Sequence, residues 1–205
     1  MDFQPIPNIK TIGKYVYNIN DKLLNQEAFG EVYLGHDRES KQNYAIKVIP
    51  VSRTNNDPAL YDSLMTEIQV MKSLKHPNIL RLFDVHSSSN NHYFITEYCS
   101  GDTLSSYLKK REKIPELEAL KILIDILQGY YEMFKLGIIL RDLKPDYILR
   151  HEDVFKLGNF RSAKILENFN KDVLKFFGGT SSRYMSPQIL RQQEYSSKSD
   201  FGQLL

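Results

Sequence analysis

The hydrophobic period of this sequence changes near Gly101, and that change constrains the fold more than any other feature. Before it, apolar residues occur in short runs such as 29–34 and 43–49, bounded by polar turn residues, which is typical of β-strands. One helical stretch interrupts these runs, marked by apolar residues three and four positions apart at Leu64, Ile68, Met71 and Leu74. After Gly101 the spacing is helical, and a long helix is predicted at about 115–136. Strands followed by helices predict an α+β fold with two unequal lobes.

The boundaries of these lobes follow from the same pattern. Residues 1–14 carry two prolines and little periodicity, so we expect a flexible lead-in. Residues 15–99 are expected to form a β-rich lobe with one main helix, and residues 100–205 a mainly helical lobe. The segment 51–60 is predicted to be a loop. The long helix is expected to present one apolar face, which consists of Leu120, Leu123, Leu127, Tyr130 and Phe134.

Composition excludes several classes of protein. The chain has 205 residues and a formal net charge of +2, which gives no indication of a nucleic-acid partner. No apolar stretch approaches the roughly 18 residues that a membrane helix needs, and the start does not resemble a secretory signal. Cys99 is the only cysteine, so an internal disulfide is excluded. We therefore expect a cytoplasmic protein without membrane insertion.

Short motifs follow one another along the chain. They are GEV at 30–32, YAIKVI at 44–49, ITEYCSGDTL at 95–104, LRDLKPDYIL at 140–149, KLGNFRSAK at 156–164, GTSSRYMSPQIL at 179–190 and KSD at 198–200. In this order they resemble the signature motifs of Ser/Thr protein kinases, from about residue 15 to the end of the chain. The resemblance implies a bilobal protein-kinase-like fold with ATP as its ligand. It also implies an incomplete second lobe, because the chain stops where the central helix of that lobe begins.

The resemblance assigns nucleotide binding to one set of positions, which are Gly30, Val32, Ala45, Lys47, Glu67, Glu97, Cys99 and Leu149. It implies that Lys47 pairs with the phosphates and that Glu67 holds this lysine; a purely structural ion pair is the alternative. Val32, Ala45 and Leu149 would enclose the adenine, and the hinge at 95–104 would hydrogen-bond to it.

Two further residues are implied to act in catalysis. Asp142 would accept the proton of the substrate hydroxyl, or would only hold the geometry of its loop. Lys144 would meet a phosphate, or would be a solvated lysine. Ser181 and Ser182 are candidates for phosphorylation, after which they would pair with Arg141.

The departures from the kinase pattern concern the metal and the phosphates. Tyr147 and Asn159 stand where the family has the asparagine and the aspartate that bind Mg²⁺, so we predict no metal site. The glycine-rich pattern G-x-G-x-x-G aligns with 25–30, where only Gly30 is a glycine and Glu27 adds a negative charge.

Smaller departures surround these positions. Leu140 replaces the histidine of H-R-D, and Gln188 replaces the glutamate of A-P-E. Arg161 replaces the glycine of D-F-G, where its guanidinium would supply part of the missing positive charge, capture Glu67 or simply lie at the surface. Leu140, Phe160 and Met71 remain apolar where the family stacks a column of side chains.

Three hypotheses follow from this pattern. The first is a pseudokinase that binds nucleotide weakly without metal and acts as a protein-binding or scaffolding module, with an active kinase among the expected partners. The second is a weakly active ATP-dependent Ser/Thr kinase, because Lys47, Glu67, Asp142 and Lys144 are all present. The third is a non-functional fragment of a kinase gene.

Overall fold

The structure is a computed structural model, and it describes residues 8–27, 30–111, 113–166, 184–191 and 197–202. The chain divides into two compact units. The first comprises residues 1–62 and 81–99, and the second comprises residues 63–80 and 100–205. The first unit is built around one sheet and the second contains most of the helices, so the predicted α+β class is confirmed. Residues 63–80 were predicted to lie in the first lobe, whereas the structure assigns them to the second unit.

The first unit is a seven-stranded antiparallel sheet. Its strands are β1 (Ile9–Ile12), β2 (Tyr15–Asn18), β3 (Asn25–Glu27), β4 (Gly30–Asp37), β5 (Asn43–Pro50), β6 (Leu82–Ser87) and β7 (Asn91–Glu97). They pair in the order β1-β2-β4-β5-β7-β6, and β3 pairs with β4. Alternate residues point to opposite faces of a strand. One face therefore buries an aromatic and aliphatic core that includes Tyr33, Tyr44, Ile46 and Ile95.

Two sequence predictions for this unit are wrong. Residues Ile9–Ile12 form strand β1, which pairs with β2, so the flexible lead-in does not extend to residue 14.

The predicted loop at 51–60 contains a helix, α1 (Val51–Asn55), and the start of α2 (Pro58–Ser73). The carboxylate of Asp57 accepts the backbone N–H of Leu60 at 3.0 Å, and a proline is favourable at a first helical position. The Asp-Pro pair thus starts α2 rather than continuing a loop.

The second unit contains the remaining elements. They are α3 (Leu104–Lys109), α4 (Glu116–Lys135), β8 (Ile138–Ile139), a 3₁₀ turn (Pro145–Tyr147), β9 (Ile148–His151), β10 (Val154–Leu157), β11 (Lys164–Ile165), α5 (Pro187–Leu190) and α6 (Ser197–Gly202). Strand β9 pairs with β10, and β8 pairs with β11. The hairpin β9-β10 is fastened to α4 because Asp125 accepts the backbone N–H of Phe155 at 2.9 Å. In the described part of the chain, no helix is long and apolar enough to cross a membrane.

The predicted apolar face of α4 is not the face that this helix buries. Its buried residues are Ile122, Ile126, Gly129, Tyr130 and Met133, whereas Leu120, Leu123, Leu127 and Phe134 are 37–46% exposed. Tyr130 is the only residue shared by the two sets. The helix carries apolar side chains around most of its circumference, so the periodicity alone does not select the buried side.

One buried carboxylate holds the loop that follows β8. Asp200, on α6, is fully buried and accepts the backbone N–H groups of Leu140 at 2.7 Å and Arg141 at 2.9 Å. It also accepts the hydroxyl of Tyr130 at 3.0 Å. Burial, together with the negative charge of Asp200, raises the pKa of Tyr130 above its ordinary range, so this phenol is a permanent donor. The start of the loop is thus fixed by α4 and α6.

A second carboxylate holds the turn between β4 and β5. Asp37 accepts from Nζ of Lys14 at 3.0 Å and from the backbone N–H groups of Glu39 and Ser40 at 2.8 and 3.1 Å. The hydrogen bond from Lys14 is the largest of these effects, and together they lower the pKa of Asp37 to about 2. The carboxylate is therefore more acidic in the folded protein than in the unfolded chain.

We predict that Asp37→Asn reduces the loss of stability on acidification. Because the folded pKa is depressed, the contribution of Asp37 is present above its unfolded pKa of about 3.8 and is lost as pH falls toward 2. Urea unfolding midpoints at pH 5 and pH 2 should therefore differ less in Asp37→Asn than in the wild type. Glu39→Gln removes a neighbouring carboxylate from the same turn and should keep the wild-type difference. Equal acid sensitivity in all three proteins would contradict the assignment.

We also predict that Asp200→Ala lowers the free energy of unfolding by about 3 kcal/mol or more, because the donors of Tyr130, Leu140 and Arg141 lose a charged acceptor. Tyr130→Phe removes one donor and keeps the hydrogen bonds from the backbone N–H groups of Leu140 and Arg141, so it should cost about 1 kcal/mol. Urea denaturation of both variants measures the difference. Similar costs for the two substitutions would show that the carboxylate does not organise this loop.

Candidate functional site

Three residues of the predicted nucleotide set lie on one face of the first unit's sheet. Val32 on β4 is directly opposite Lys47 on β5, and Leu34 is directly opposite Ala45. Directly paired residues share a face, and so do residues two apart along a strand. Val32, Ala45 and Lys47 are therefore neighbours on the face opposite the tyrosine-rich core. Lys47 is largely buried, with its side chain 11% exposed.

A glutamate from the altered glycine-rich segment contacts this lysine. Strand β3 pairs Asn25 with Val32, which places Glu27, two residues later, on the same face as Lys47. The Oε2 atom of Glu27 lies 3.0 Å from Nζ of Lys47. The same Nζ atom lies 5.6 Å from the ring centroid of Phe94, the β7 residue opposite Lys47. A buried ammonium needs a partner of opposite charge, and Glu27 supplies one from within the chain.

Gly30 has a structural reason to be glycine. A Cβ atom at this position would lie 2.3 Å from the carbonyl oxygen of Val48 on β5, closer than real Cβ atoms approach backbone. The pairing of β4 with β5 therefore excludes any larger residue. This requirement is independent of a phosphate.

The predicted hinge residues follow at the end of β7. The backbone N–H of Glu97 donates to the carbonyl of Arg81 at 2.9 Å, which fixes the last residue of the strand. Cys99 is half-buried and is the last residue of the first unit. No described contact assigns either residue to adenine, so their role in binding remains a prediction.

In the second unit, the predicted catalytic residues and Tyr147 form one cluster. Nζ of Lys144 lies 3.3 Å from Oδ2 of Asp142 and 4.2 Å from the ring centroid of Tyr147. The Asp142 and Lys144 side chains are only 13% and 15% exposed. The other carboxylate oxygen of Asp142, Oδ1, is buried and has no hydrogen-bond partner among the described residues. Lys144 is therefore not a freely solvated lysine.

Tyr147 contributes to keeping Lys144 charged. Burial by itself lowers the pKa of Lys144, but a hydrogen bond with Tyr147 and the negative charge of Asp142 outweigh it. The net result is a pKa above the ordinary lysine value. The residue at the expected metal-ligand position thus acts on the neighbouring lysine.

The second expected metal position is also engaged. Asn159 adopts a positive φ of 57°, which asparagine tolerates better than most residues, and its Oδ1 accepts the backbone N–H of Arg161 at 3.3 Å. The carbonyl of Arg161 accepts the hydroxyl of Ser63 on α2 at 2.9 Å. Within the described ranges, no group of three or more His, Cys, Asp or Glu side chains could hold a metal ion. An aromatic ring and one amide oxygen do not fit Mg²⁺, which prefers several hard oxygen ligands.

The remaining predicted residues of the second unit are placed as follows. Glu67 is buried on α2, but Lys47 belongs to the other unit, so pairing of the two remains a prediction. Leu149 is half-buried and bridges to Thr103. The apolar column residues Met71, Leu140 and Phe160 are all buried.

Three other predictions concern the activation segment. Ser181 and Ser182 lie outside the described residues, and so does the side chain of Gln188 in α5. The Nε atom of Arg141 donates to the carbonyl of Ser162 at 2.6 Å. Arg141 thus already contacts the segment that follows Asn159, and its pairing with a phosphoserine stays a prediction.

Sequence reasoning missed two of these contacts. It identified Glu27 as an unfavourable charge and Tyr147 as a lost metal ligand, but it did not predict that either residue contacts a lysine. The contact of Glu27 with Lys47 follows from the pairing of β3 with β4 and of β4 with β5, for which the sequence offered no local signal. The signal for Tyr147 was its three-residue distance from Lys144 across Pro145.

Comparison with known proteins agrees with the motifs. The family profile of the protein kinase domain matches residues 19–201. The serine/threonine-protein kinase atg1 of Dictyostelium discoideum is 33% identical over 200 residues, which is 94% of this chain and 29% of that protein. The serine/threonine-protein kinase ATG1a of Arabidopsis thaliana is 30% identical over 181 residues, covering 86% of this chain and 28% of that protein.

A calcium-dependent protein kinase 4 of Plasmodium falciparum is also similar, at 29% identity over 184 residues, or 87% of this chain and 34% of that protein. The chain thus spans about a third or less of the length of these three relatives. The resemblance read from the motifs is confirmed at the level of the domain. This chain belongs to the protein kinase domain family.

Proposed function

We propose that this chain is a pseudokinase domain, a kinase-fold module that binds nucleotide weakly without metal and acts through protein partners. The observation that carries the proposal is the position of Tyr147, whose ring lies 4.2 Å from the Lys144 ammonium where the family has a metal ligand. Asn159, at the second metal position, is neutral and accepts a hydrogen bond from its own loop. Together these residues replace the metal site by contacts within the chain.

The energetic consequence is a loss of charge neutralisation during phosphoryl transfer. That reaction relies on positioning and on cations that offset the charge of the phosphates. Removing one stabilising group typically costs about 3 kcal/mol, and every 1.36 kcal/mol is about a tenfold loss in rate. Two changed ligands thus imply a loss of several powers of ten, which favours a binding role over an enzymatic one.

The proposed nucleotide site consists of residues of the kinase pattern that are present on one face of the first unit's sheet. Val32 and Ala45 offer an apolar surface next to Lys47 on one sheet face, which suits an adenine ring followed by phosphates. Without metal, binding relies on these contacts alone, so we infer weak affinity for ATP. Partner binding then depends on the protein surface, and an active kinase is the partner class that the fold suggests.

A weakly active Ser/Thr kinase is the second candidate, and one observation favours it. The buried Oδ1 atom of Asp142 has no hydrogen-bond partner in the described structure. A substrate hydroxyl could supply that partner, as expected for a group that accepts a proton. Lys144 lies 3.3 Å from the other oxygen of the same carboxylate and would stabilise it.

The proposal predicts that ATP stabilises the protein equally with and without metal. Thermal unfolding with excess ATP should show the same rise in midpoint in Mg²⁺ and in EDTA. A ligand at about 100 times its dissociation constant adds roughly 2.7 kcal/mol, which is a clear shift. A matched variant, Tyr147→Asn with Asn159→Asp, restores the two ligand types and should make the stabilisation depend on Mg²⁺.

Two results would contradict the pseudokinase proposal. One is wild-type stabilisation by ATP that requires Mg²⁺. The other is transfer of the γ-phosphate by the wild type that Asp142→Asn abolishes, which would favour the weak kinase instead. The asparagine keeps the size of the aspartate, so loss of transfer would report on the carboxylate itself.

A further inference from the structure

We infer that the Glu27 carboxylate competes with the phosphates of a nucleotide for the Lys47 ammonium. It already forms an ion pair with this ammonium on the sheet face where the phosphates are expected. This inference rests on the proposed nucleotide site, and it identifies the residue that sets the affinity of that site for anions. The consequence is that Glu27 lowers the affinity of the site for phosphorylated ligands but not its affinity for the bare nucleoside.

The geometry of three adjacent strands creates this contact. The cross-strand row Asn25, Val32 and Lys47 fixes β3, β4 and β5 in register. Glu27 is one step further along β3 on the same face, opposite Gly30, where no side chain intervenes. The 3.0 Å separation between Oε2 of Glu27 and Nζ of Lys47 is a direct ion pair. Two regular strand pairings therefore place the carboxylate.

The pair of Glu27 and Lys47 is largely shielded from solvent. The Lys47 side chain is 11% exposed and that of Glu27 is 28% exposed, so solvent and salt screen their attraction less than at an open surface. A phosphate that approached Lys47 would meet the carboxylate at short range, and the two negative groups would repel each other. Phosphate binding thus requires that Glu27 leave Lys47 or remain beside a like charge.

The same chain offers a matched control for the charge. Glu31 lies on the neighbouring strand β4, opposite Gln26, and accepts the hydroxyl of Tyr33 at 2.6 Å. It lies next to Val32 in sequence, so its side chain points away from the Lys47 face. Glu31→Gln therefore removes one negative charge from the same sheet without touching the lysine.

The test compares ATP and adenosine binding by isothermal titration in EDTA, using the full 205-residue chain. Glu27→Gln should tighten ATP by about tenfold, equivalent to ~1.4 kcal/mol, while adenosine is unchanged. Glu31→Gln should leave both affinities at the wild-type level. Adding Lys47→Met to Glu27→Gln should abolish the gain, because the lysine mediates it. Glu27→Ala is the second variant and should show the same selective gain.

The outcomes separate this inference from the proposed function. If ATP binds the wild type and both Glu27 variants equally, the competitor role is overturned while nucleotide binding stands. If ATP binds only the Glu27 variants, the competitor role is supported and nucleotide binding by the wild type is rejected. If neither ligand binds any protein, both are rejected. An equal gain for adenosine would also overturn the inference, since the effect would not concern phosphates.

Discussion

The buried carboxylate of Asp200 connects three parts of the second unit. It joins α4, through Tyr130, to the backbone of Leu140 and Arg141 at the start of the catalytic-type loop. A carboxylate without donors would be expensive to bury, so the loop and the carboxylate require each other. The loop that carries Asp142, Lys144 and Tyr147 therefore keeps its position for architectural reasons.

Lys47 and Lys144 each form an ion pair within the chain. Lys47 pairs with Glu27, while Lys144 lies between Asp142 and the ring of Tyr147. Buried ammonium groups without such partners would destabilise the fold or lose their charge. In this protein the two charges are satisfied without a ligand. Each ammonium thus has an anionic partner close by, which offsets part of the cost of its burial.

The sequence predicted the order of strands and helices because apolar periodicity and turn residues are local signals. The resemblance to kinases, rather than the apolar pattern, grouped Val32, Ala45 and Lys47, and the strand pairing places these three residues on one sheet face. The sequence could not choose the buried side of α4, because Leu123 and Ile126 are both apolar and the choice between them depends on neighbouring elements such as β8 and β10. It missed β1, because the pairing of β1 with β2 depends on tertiary structure and not on a local signal. The contact between Glu27 and Lys47 likewise needs the register of three strands, which no single segment contains.

Gly30 has a consequence for how degenerate kinase sequences are interpreted. Its lack of a side chain is demanded by the approach of the Val48 carbonyl from the next strand. A folded sheet requires this glycine whether or not a nucleotide binds, whereas the aligned positions on β3 accept the side chains of Asn25 and Glu27. The last glycine of the motif is therefore a marker of sheet integrity. Its presence by itself therefore carries no information about phosphate binding.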